Sequence, residues 1–246
     1  MPMVCSNEYA PAALPVNSMK NKLQLLAAAA LVSLLTLPAT AQITAVSDPL
    51  TLNVTDTIQW TATPGSPGAN FDILSTGGLN TNVSHTGSGA FEVRTQGSSW
   101  FGCFLPGETL LWNGGENGVL TIDPDGLIGG AGLNIQANYF GSYTARISAF
   151  DSIGGLLGSV TGSGFSSSNG DGSALFLGFA STSVNVDKFS IELTAASNGV
   201  PGDFAINGVM LADSMVSAVP EPSTYGLIGA ALAVGLVAFR RFRRKA

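Results

Sequence analysis

The chain has 246 residues and is poor in charge, since charged residues make up 11% against a usual share of about 25%, while glycine occurs 31 times. The net charge of −6 conceals an asymmetry, because between Gln42 and Val219 three basic residues stand against fourteen acidic ones, a difference of −11. So acidic a region repels phosphate backbones, which argues against nucleic-acid binding. Both ends have the composition of processing segments, and the length between them favours a single folded domain.

A secretory signal peptide is the first predicted element and covers residues 19–41. Two lysines and an apolar stretch over residues 23–37 precede the small-x-small sequence Ala39-Thr40-Ala41. This order predicts passage through the Sec machinery and cleavage by signal peptidase between Ala41 and Gln42. The mature domain is expected to begin at Gln42.

Residues 1–18 precede the signal peptide and show no periodicity. We expect them to be an extension from a misassigned start codon, with a genuine short extension as the alternative, because a signal peptide normally opens a chain. One of the two cysteines, Cys5, lies in this extension, so the domain retains Cys103 alone and no disulfide framework can be drawn. Cys103 is expected to be buried, with an intermolecular bridge as the alternative.

The domain over residues 42–218 is predicted to be all-β. Apolar and polar residues alternate from Tyr143 to Ala149 and from Phe189 to Leu193, as in half-buried strands. Turn sequences rich in glycine, such as Asn113-Gly114-Gly115, separate the candidates, and no stretch has helical periodicity. Short strands at this spacing predict a single β-sandwich or jelly roll. The other predicted strands are Leu50–Trp60, Ala90–Arg94, Val119–Ile122, Leu133–Ala137, Leu156–Val160, Ala174–Ala180 and Asp203–Leu211.

The single histidine, His85, lies in the polar stretch Asn82 to Gly89, which has the composition of a loop. A zinc site needs more His or Cys ligands than the chain supplies, and no nucleophile motif accompanies His85 as a catalytic base. We therefore expect His85 to be a solvated loop residue. No glycine-rich phosphate-binding motif is present, so nucleotide binding has no support.

Four aromatic residues, Trp60, Trp100, Trp112 and Tyr139, are candidates for contact with sugar rings. Aromatic side chains on strands are also frequent in the core of all-β domains. A carbohydrate-contacting platform and a core position both remain open for them. Their exposure discriminates the two interpretations.

Acidic residues suggest two further kinds of site. Carboxylates such as Glu92, Glu108 and Glu116 would have to face each other across a cleft to act as in a glycoside hydrolase, and sequence gives no distance between them. Two acidic turns are candidates for a structural calcium ion, although neither supplies a full ligand set and turn formation alone explains both. Their candidate ligands are Asp123, Asp125, Asn169 and Asp171. No other cofactor is expected.

The C-terminal segment, residues 219–246, has three parts. Pro220-Glu221-Pro222 is followed by an apolar stretch over residues 225–239 and a basic tail over residues 240–245. Fifteen apolar residues in a helix span roughly 22 Å, less than the ~30 Å of a bilayer core, so the predicted transmembrane helix is a marginal anchor. The basic tail would remain on the cytoplasmic side, which places the domain outside that membrane.

This three-part order resembles the PEP-CTERM sorting signal of Gram-negative bacteria, with Pro220, Glu221 and Pro222 matching its core. The resemblance implies recognition by an exosortase, a membrane cysteine protease that cleaves near the motif and releases the protein for export. It further implies transient inner-membrane anchoring, a final place at the cell surface or outside the cell, and an association with exopolysaccharide and biofilm. A plain C-terminal anchor is the alternative.

The order of strands and turns from about Trp100 to Leu211 also resembles a β-sandwich module found ahead of PEP-CTERM tails. The pieces that carry this likeness are Gly118–Ile122, Tyr143–Asp151, Gly154–Gly158, Ala174–Phe179 and Asp203–Asn207. It implies a jelly roll similar to galactose-binding domains or carbohydrate modules, with no ligand assigned.

Three functions follow from these observations. The first is a non-enzymatic, exported surface or matrix protein associated with extracellular polysaccharide. The second is a carbohydrate-binding or adhesive module that uses aromatic residues, with or without calcium, and the third is a glycoside hydrolase. Exposed coplanar aromatics would favour the second, and two facing carboxylates in a cleft the third.

Overall fold

The computed structural model describes residues 43–63, 65–115 and 117–213. The predicted signal peptide and the predicted transmembrane helix at residues 225–239 lie outside these ranges. Within them, no helix has both the length and the apolar character needed to cross a membrane.

Fourteen strands and two short 3₁₀ helices form the described part of the chain. The helices are Pro49–Thr51 and Trp60–Ala62. The strands are β1 Ile43–Val46, β2 Asp56–Ile58, β3 Asn70–Leu74, β4 Asn80–His85, β5 Glu92–Thr95, β6 Thr109–Trp112, β7 Leu120–Pro124, β8 Gly130–Ala137, β9 Gly141–Phe150, β10 Leu156–Ser166, β11 Leu175–Ser181, β12 Lys188–Ala196, β13 Phe204–Ile206 and β14 Val209–Ala212.

The strands pair into two antiparallel sheets. The first sheet has the order β1-β11-β8-β13-β6-β5, and β14 pairs with both β8 and β2. The second sheet has the order β10-β9-β12-β7-β4-β3. Buried apolar side chains from both sheets form one continuous core, as expected when two half-apolar sheets pack face to face. The prediction of an all-β sandwich is therefore confirmed for the described residues.

The long central strands follow the alternation that their sequences predict. In β9, Tyr143, Ala145, Ile147 and Ala149 are buried in the core, while Arg146 lies on the outer face. In β12, the register pairs Ile191 with Ile147 and Glu192 with Arg146, so apolar and polar side chains keep to opposite faces of the sheet.

Glycine is required in the predicted turn after β6. Gly114 and Gly115 adopt positive φ angles of 82° and 88°, which L side chains rarely adopt. A Cβ atom on Gly114 would also lie 2.3 Å from the carbonyl oxygen of Ala90, so this turn can carry no side chain there.

Two predicted strands differ from the structure. The stretch Leu50–Trp60 forms a strand only at Asp56–Ile58, because Asp48 accepts a hydrogen bond from the backbone N–H of Leu50 at 2.9 Å and starts a 3₁₀ turn at Pro49. The stretch Asp203–Leu211 forms two strands, β13 and β14, which are separated at Asn207-Gly208.

The interpretation of Asn82–Gly89 as a loop is wrong for Asn82–His85, which belong to β4, whereas residues 86–89 lie outside any strand. Strands β1, β3, β4 and β6 were not predicted as separate elements. Their sequences are short or polar. Strands β3 and β4 pair with each other in the second sheet, and Asn70 and Asp72 of β3 are exposed to solvent. Pairing within the sheet therefore outweighs weak local preference.

Candidate functional site

The first sheet divides at Asn207-Gly208. Upstream of this point β13 pairs with Gln136 and its neighbours in β8, and downstream β14 pairs with the same edge of β8 at Gly130–Gly132. From β13 the sheet continues to β6 and β5, whereas from β14 it continues to β2. A gap therefore opens between β6 and β2, where the sheet branches.

Two covering segments lie on the outer face of the first sheet, one on each side of this gap. The loop between β5 and β6 buries Trp100, Cys103 and Phe104 against Leu110 of the sheet. The segment after β1 buries Leu52 in a second small cluster, together with Val46, Ala180 and Ala212 and the half-buried Phe176 and Met210.

The space between the two branches is a cleft of about 300 Å³, which we call the fork cleft. Its lining residues are Thr57, Gln59, Glu108, Thr109, Asn207, Gly208, Val209 and Met210. Most of these offer hydroxyl, amide or carboxylate groups, and Met210 adds a polarisable apolar surface. The cleft thus combines several hydrogen-bonding groups with one apolar side.

Hydrogen bonds fix the polar groups at the floor of the fork cleft. The backbone N–H of Asn207 donates to the carbonyl oxygen of Asn134 in β8 at 3.1 Å, and the side-chain oxygen of Asn207 accepts a bond from the backbone N–H of Asn134 at 2.8 Å. Its amide nitrogen donates to Glu108 Oε1 at 3.3 Å. Glu108 Oε2 accepts from the backbone N–H of Leu105 at 2.7 Å. The carboxylate is consequently held in place before any ligand binds, which lowers the entropic cost of binding.

Trp60 lies in the core next to the fork cleft and is hydrogen-bonded to one of its lining residues. Its ring is fully buried, and its indole N–H donates to the carbonyl oxygen of Asn207 at 2.9 Å. Trp60 is therefore a core residue and does not offer a face to a sugar ring. Of the two alternatives left open for this residue, the core position is the one that the structure shows.

Trp100 is likewise buried, at 3% exposure, with its indole N–H pointing to Gln136 Oε1 at 3.4 Å. Trp112 is half-buried: Arg94 lies 3.7 Å above its ring, and its N–H donates to Asp203 at 2.5 Å. Tyr139 is half-buried, and burial raises the pKa of its hydroxyl. With Trp60 and Trp100 in the interior, the four residues do not form an exposed aromatic platform.

The two acidic turns lie in different places. Asp125 follows β7 and donates its backbone N–H to Asn80, on the second sheet. Burial raises the pKa of Asp123, Asp187 and Asp125 raise it further, and Lys188 opposes them. Within residues 43–63, 65–115 and 117–213, no three His, Cys, Asp or Glu side chains cluster as metal ligands.

The other acidic turn packs beside the loop between β5 and β6, where the backbone N–H of Gly170 donates to Gly102. Hydrogen bonds from Ser173 hold the pKa of Asp171 below its ordinary value, and the amide of Asn169 lies 3.4 Å from the same carboxylate. The structure therefore does not bring Asn169 and Asp171 together with Asp123 and Asp125.

His85 occupies the end of β4 instead of a solvated loop. Its ring packs edge-to-face on Phe91 with the ring centroids 4.5 Å apart, and both ring nitrogens are buried without a hydrogen-bond partner. The prediction of a solvated residue is wrong because the ring fills space beside Phe91. Cys103 is buried, as predicted, and its sulfur lies 3.2 Å from the hydroxyl of Ser167.

Among the carboxylates considered for hydrolysis, only Glu108 lines the fork cleft. Glu92 forms an ion pair with Arg94 at 2.9 Å, and Glu116 lies outside the described residues. The neutral residues of the cleft, among them Gln59 and Asn207, were not predicted from the sequence. A signal for the site exists in Asn207-Gly208, a turn-type pair that interrupts an otherwise apolar strand sequence.

Known structures provide three comparisons. The chain is similar to a DUF4465 family protein from Bacteroides caccae ATCC 43185, with 14% identity and a TM-score of 0.37, over 70% of this chain and 100% of that one. It is similar to a family 6 carbohydrate-binding module, with 14% identity and a TM-score of 0.32, over 59% and 95%. A glycoside hydrolase family 43 arabinoxylan arabinofuranohydrolase from Bacillus subtilis gives 8% identity and a TM-score of 0.30, over 59% and 40%.

No curated protein matches the chain in sequence. The predicted signal-cleavage residues Ala41 and Gln42, and the sorting residues Pro220, Glu221 and Pro222, lie outside the described residues. Residues 218–244 nevertheless match the family model for the PEP-CTERM protein-sorting motif. The chain therefore carries a PEP-CTERM motif, the export signal of proteins that an exosortase sorts.

Proposed function

We propose that this protein is a non-catalytic, polysaccharide-associated component of the bacterial cell surface or extracellular matrix. Sec export and signal peptidase would deliver the domain across the inner membrane, and exosortase processing near Pro220-Glu221-Pro222 would release it. The PEP-CTERM motif at residues 218–244 is the observation that carries this proposal. The motif also favours exopolysaccharide and biofilm as the place where the released protein acts.

The fork cleft is the proposed contact with sugar. Polysaccharides present many hydroxyl groups, and hydroxyl and amide side chains both donate to and accept from them. Gln59 is exposed, and Thr57, Thr109 and Asn207 are half-buried, so these side chains can be reached from solvent. A shallow polar cleft with a thioether wall suits binding of a sugar unit within a longer chain.

Catalysis has less support than binding. Glycoside hydrolysis uses two carboxyl groups on opposite sides of the scissile bond. Among the described residues that line the fork cleft, Glu108 is the single carboxylate. Its oxygens already accept bonds from the backbone of Leu105 and the amide of Asn207, an arrangement that suits a fixed binding group.

Removing one amide from the fork cleft tests this site. We expect Gln59→Ala to weaken binding of the mature domain to a soluble β-glucan by about threefold to tenfold, the value of one neutral hydrogen bond. Affinity electrophoresis in gels containing hydroxyethylcellulose measures the change. The matched control is Asn80→Ala, which removes an exposed amide from the second sheet and is expected to leave migration unchanged. Equal retardation of both variants and the wild type would contradict the assignment of the cleft.

A further inference from the structure

The positive charges of the domain are all engaged away from the fork cleft. The described residues include three cations, and two of them form ion pairs: Arg94 with Glu92 at 2.9 Å and Arg146 with Glu192 at 2.7 Å. The third, Lys188, lies close enough to Asp123 to lower the pKa of that carboxyl group. Within the described part of the chain, none of these cations lines the fork cleft.

The charge inside the fork cleft is negative and is not matched by a cation. Glu108 is the only charged residue among the described residues that line it. The carboxylate of Glu108 receives hydrogen bonds from the neutral backbone of Leu105 and the neutral amide of Asn207. These bonds orient the carboxylate without neutralising it, and a carboxylate has room for further donors.

A positively charged ligand would bind more tightly because of the Glu108 carboxylate and because of the excess of acidic residues in the domain. Its charged donors would form charge-assisted hydrogen bonds with Glu108, which are stronger than bonds between neutral groups. The difference of −11 between basic and acidic residues over residues 42–219 would attract a polycation at long range and repel an acidic polymer. A uronic acid or a sulfated polysaccharide would find no cation among the described residues that line the fork cleft.

We propose that the fork cleft selects a polysaccharide whose sugars carry free, protonated amino groups, with Glu108 as the residue that contacts the ammonium group. This inference rests on the proposed function, because it names the chemical class of polysaccharide that the same cleft binds. Gln59 and the hydroxyls of Thr57 and Thr109 contact the sugar hydroxyls, which are common to charged and neutral chains. The selection for charge is therefore assigned to Glu108.

Three oligosaccharides of equal length test the preference by isothermal titration calorimetry with the mature domain. Chitosan oligosaccharides carry amines, chitin oligosaccharides carry neutral acetamides on the same backbone, and polygalacturonate oligosaccharides carry carboxylates. At about pH 5.5 an amine is protonated and most carboxylates are ionised. We expect the affinity order amine, then acetamide, then carboxylate, with the advantage of the amine shrinking as salt is added.

Two variants separate contact in the cleft from the general charge of the domain. Glu108→Gln is expected to lower the affinity for chitosan oligosaccharides about fivefold more than the affinity for chitin oligosaccharides. Asp125→Asn makes the same change of charge at an exposed position on the second sheet and is expected to alter neither affinity. Thermal unfolding of each variant reports whether the fold is retained.

The outcomes distinguish the two proposals. Binding of all three oligosaccharides with equal affinity, or an equal effect of Glu108→Gln and Asp125→Asn, would overturn the preference for amines while the polysaccharide-binding function stands. Binding of none of the three oligosaccharides, with no retardation by hydroxyethylcellulose, would overturn the proposed function and the preference with it. A folded Glu108→Gln variant whose chitosan affinity falls more than its chitin affinity would support the inference.

Discussion

Asp56 shows how a single carboxylate connects the two sheets. It lies in β2 of the first sheet, and its side chain accepts hydrogen bonds from Ser75, Thr76 and Gly77 in the connection between β3 and β4 of the second. Burial raises the pKa of Asp56, but these bonds and one from the backbone of Thr57 outweigh burial and hold the pKa below its ordinary value. The bonds therefore favour the ionised form.

The depressed pKa of Asp56 predicts how the stability of the domain depends on pH. A carboxyl group with a lowered pKa stabilises the fold above its unfolded-state pKa of about 3.9, and this contribution is lost as the pH falls through the folded-state value. Asp56→Ala is expected to lower the free energy of unfolding at neutral pH by about 1–2 kcal/mol. Urea unfolding over a pH series measures the difference, which should narrow below about pH 4. A difference that stays constant at all pH values would contradict this role.

At the scale of elements, the loop between β5 and β6 depends on buried amides. Gln136 of β8 accepts the backbone N–H of Cys103 at 2.7 Å, and its own amide donates to the hydroxyl of Ser166 at 2.8 Å. Gln96 binds both the carbonyl oxygen and the N–H of Gly102. These bonds keep the loop on the sheet and thereby position Glu108, the last residue of the loop.

Gln136→Ala tests this dependence. The substitution leaves the backbone N–H of Cys103 buried without its acceptor, and we expect the free energy of unfolding to fall by about 2–3 kcal/mol. Amide hydrogen exchange should accelerate most in residues 96–108, because this segment loses its attachment to the sheet. Gln59→Ala serves as the control, since Gln59 is exposed and its loss should leave exchange in the loop unchanged. A Gln136→Ala variant with wild-type protection of the loop would show that Gln136 does not attach the loop to the sheet.

The elements also show how far sequence determines this fold. Alternation in β9 and β12 is strong because one face of each strand is buried in the core, so their sequences alone predict them. Strand β4 is polar on its solvent side and is defined by its pairing with β3 and β7, which no local pattern reveals. Long-range pairing therefore decides the strands that local preference leaves open.

The fork cleft could not be predicted from sequence for the same reason. Glu108 and Asn207 are 99 residues apart, and they meet only because β13 pairs with β6. By residue type Trp60 was a reasonable candidate for contact with sugar, yet its side chain is buried in the core of the sandwich. The sequence does show two features that bear on the proposed site. The turn-type pair Asn207-Gly208 interrupts an apolar strand sequence, and acidic residues outnumber basic residues in the domain.

For the whole molecule, an exported β-sandwich is joined to a C-terminal sorting motif. The sandwich is the part that the structure describes, and the motif at residues 218–244 determines its route. The signal-peptide cleavage after Ala41, the processing near Pro220 and the final place outside the cell are predictions about that route. All three change the mass or the location of the protein, so a single experiment on the native protein tests them.

That experiment determines the intact mass and the cellular fraction of the protein in its native host, with Pro220-Glu221-Pro222 either intact or replaced by three alanines. Ser223→Ala with Thr224→Ala provides the control beside the motif. We expect a species that begins at Gln42, ends near Pro220 and lies outside the cell only when the motif is intact. A protein that keeps its full C-terminal tail in the inner membrane with or without the motif would contradict sorting by an exosortase.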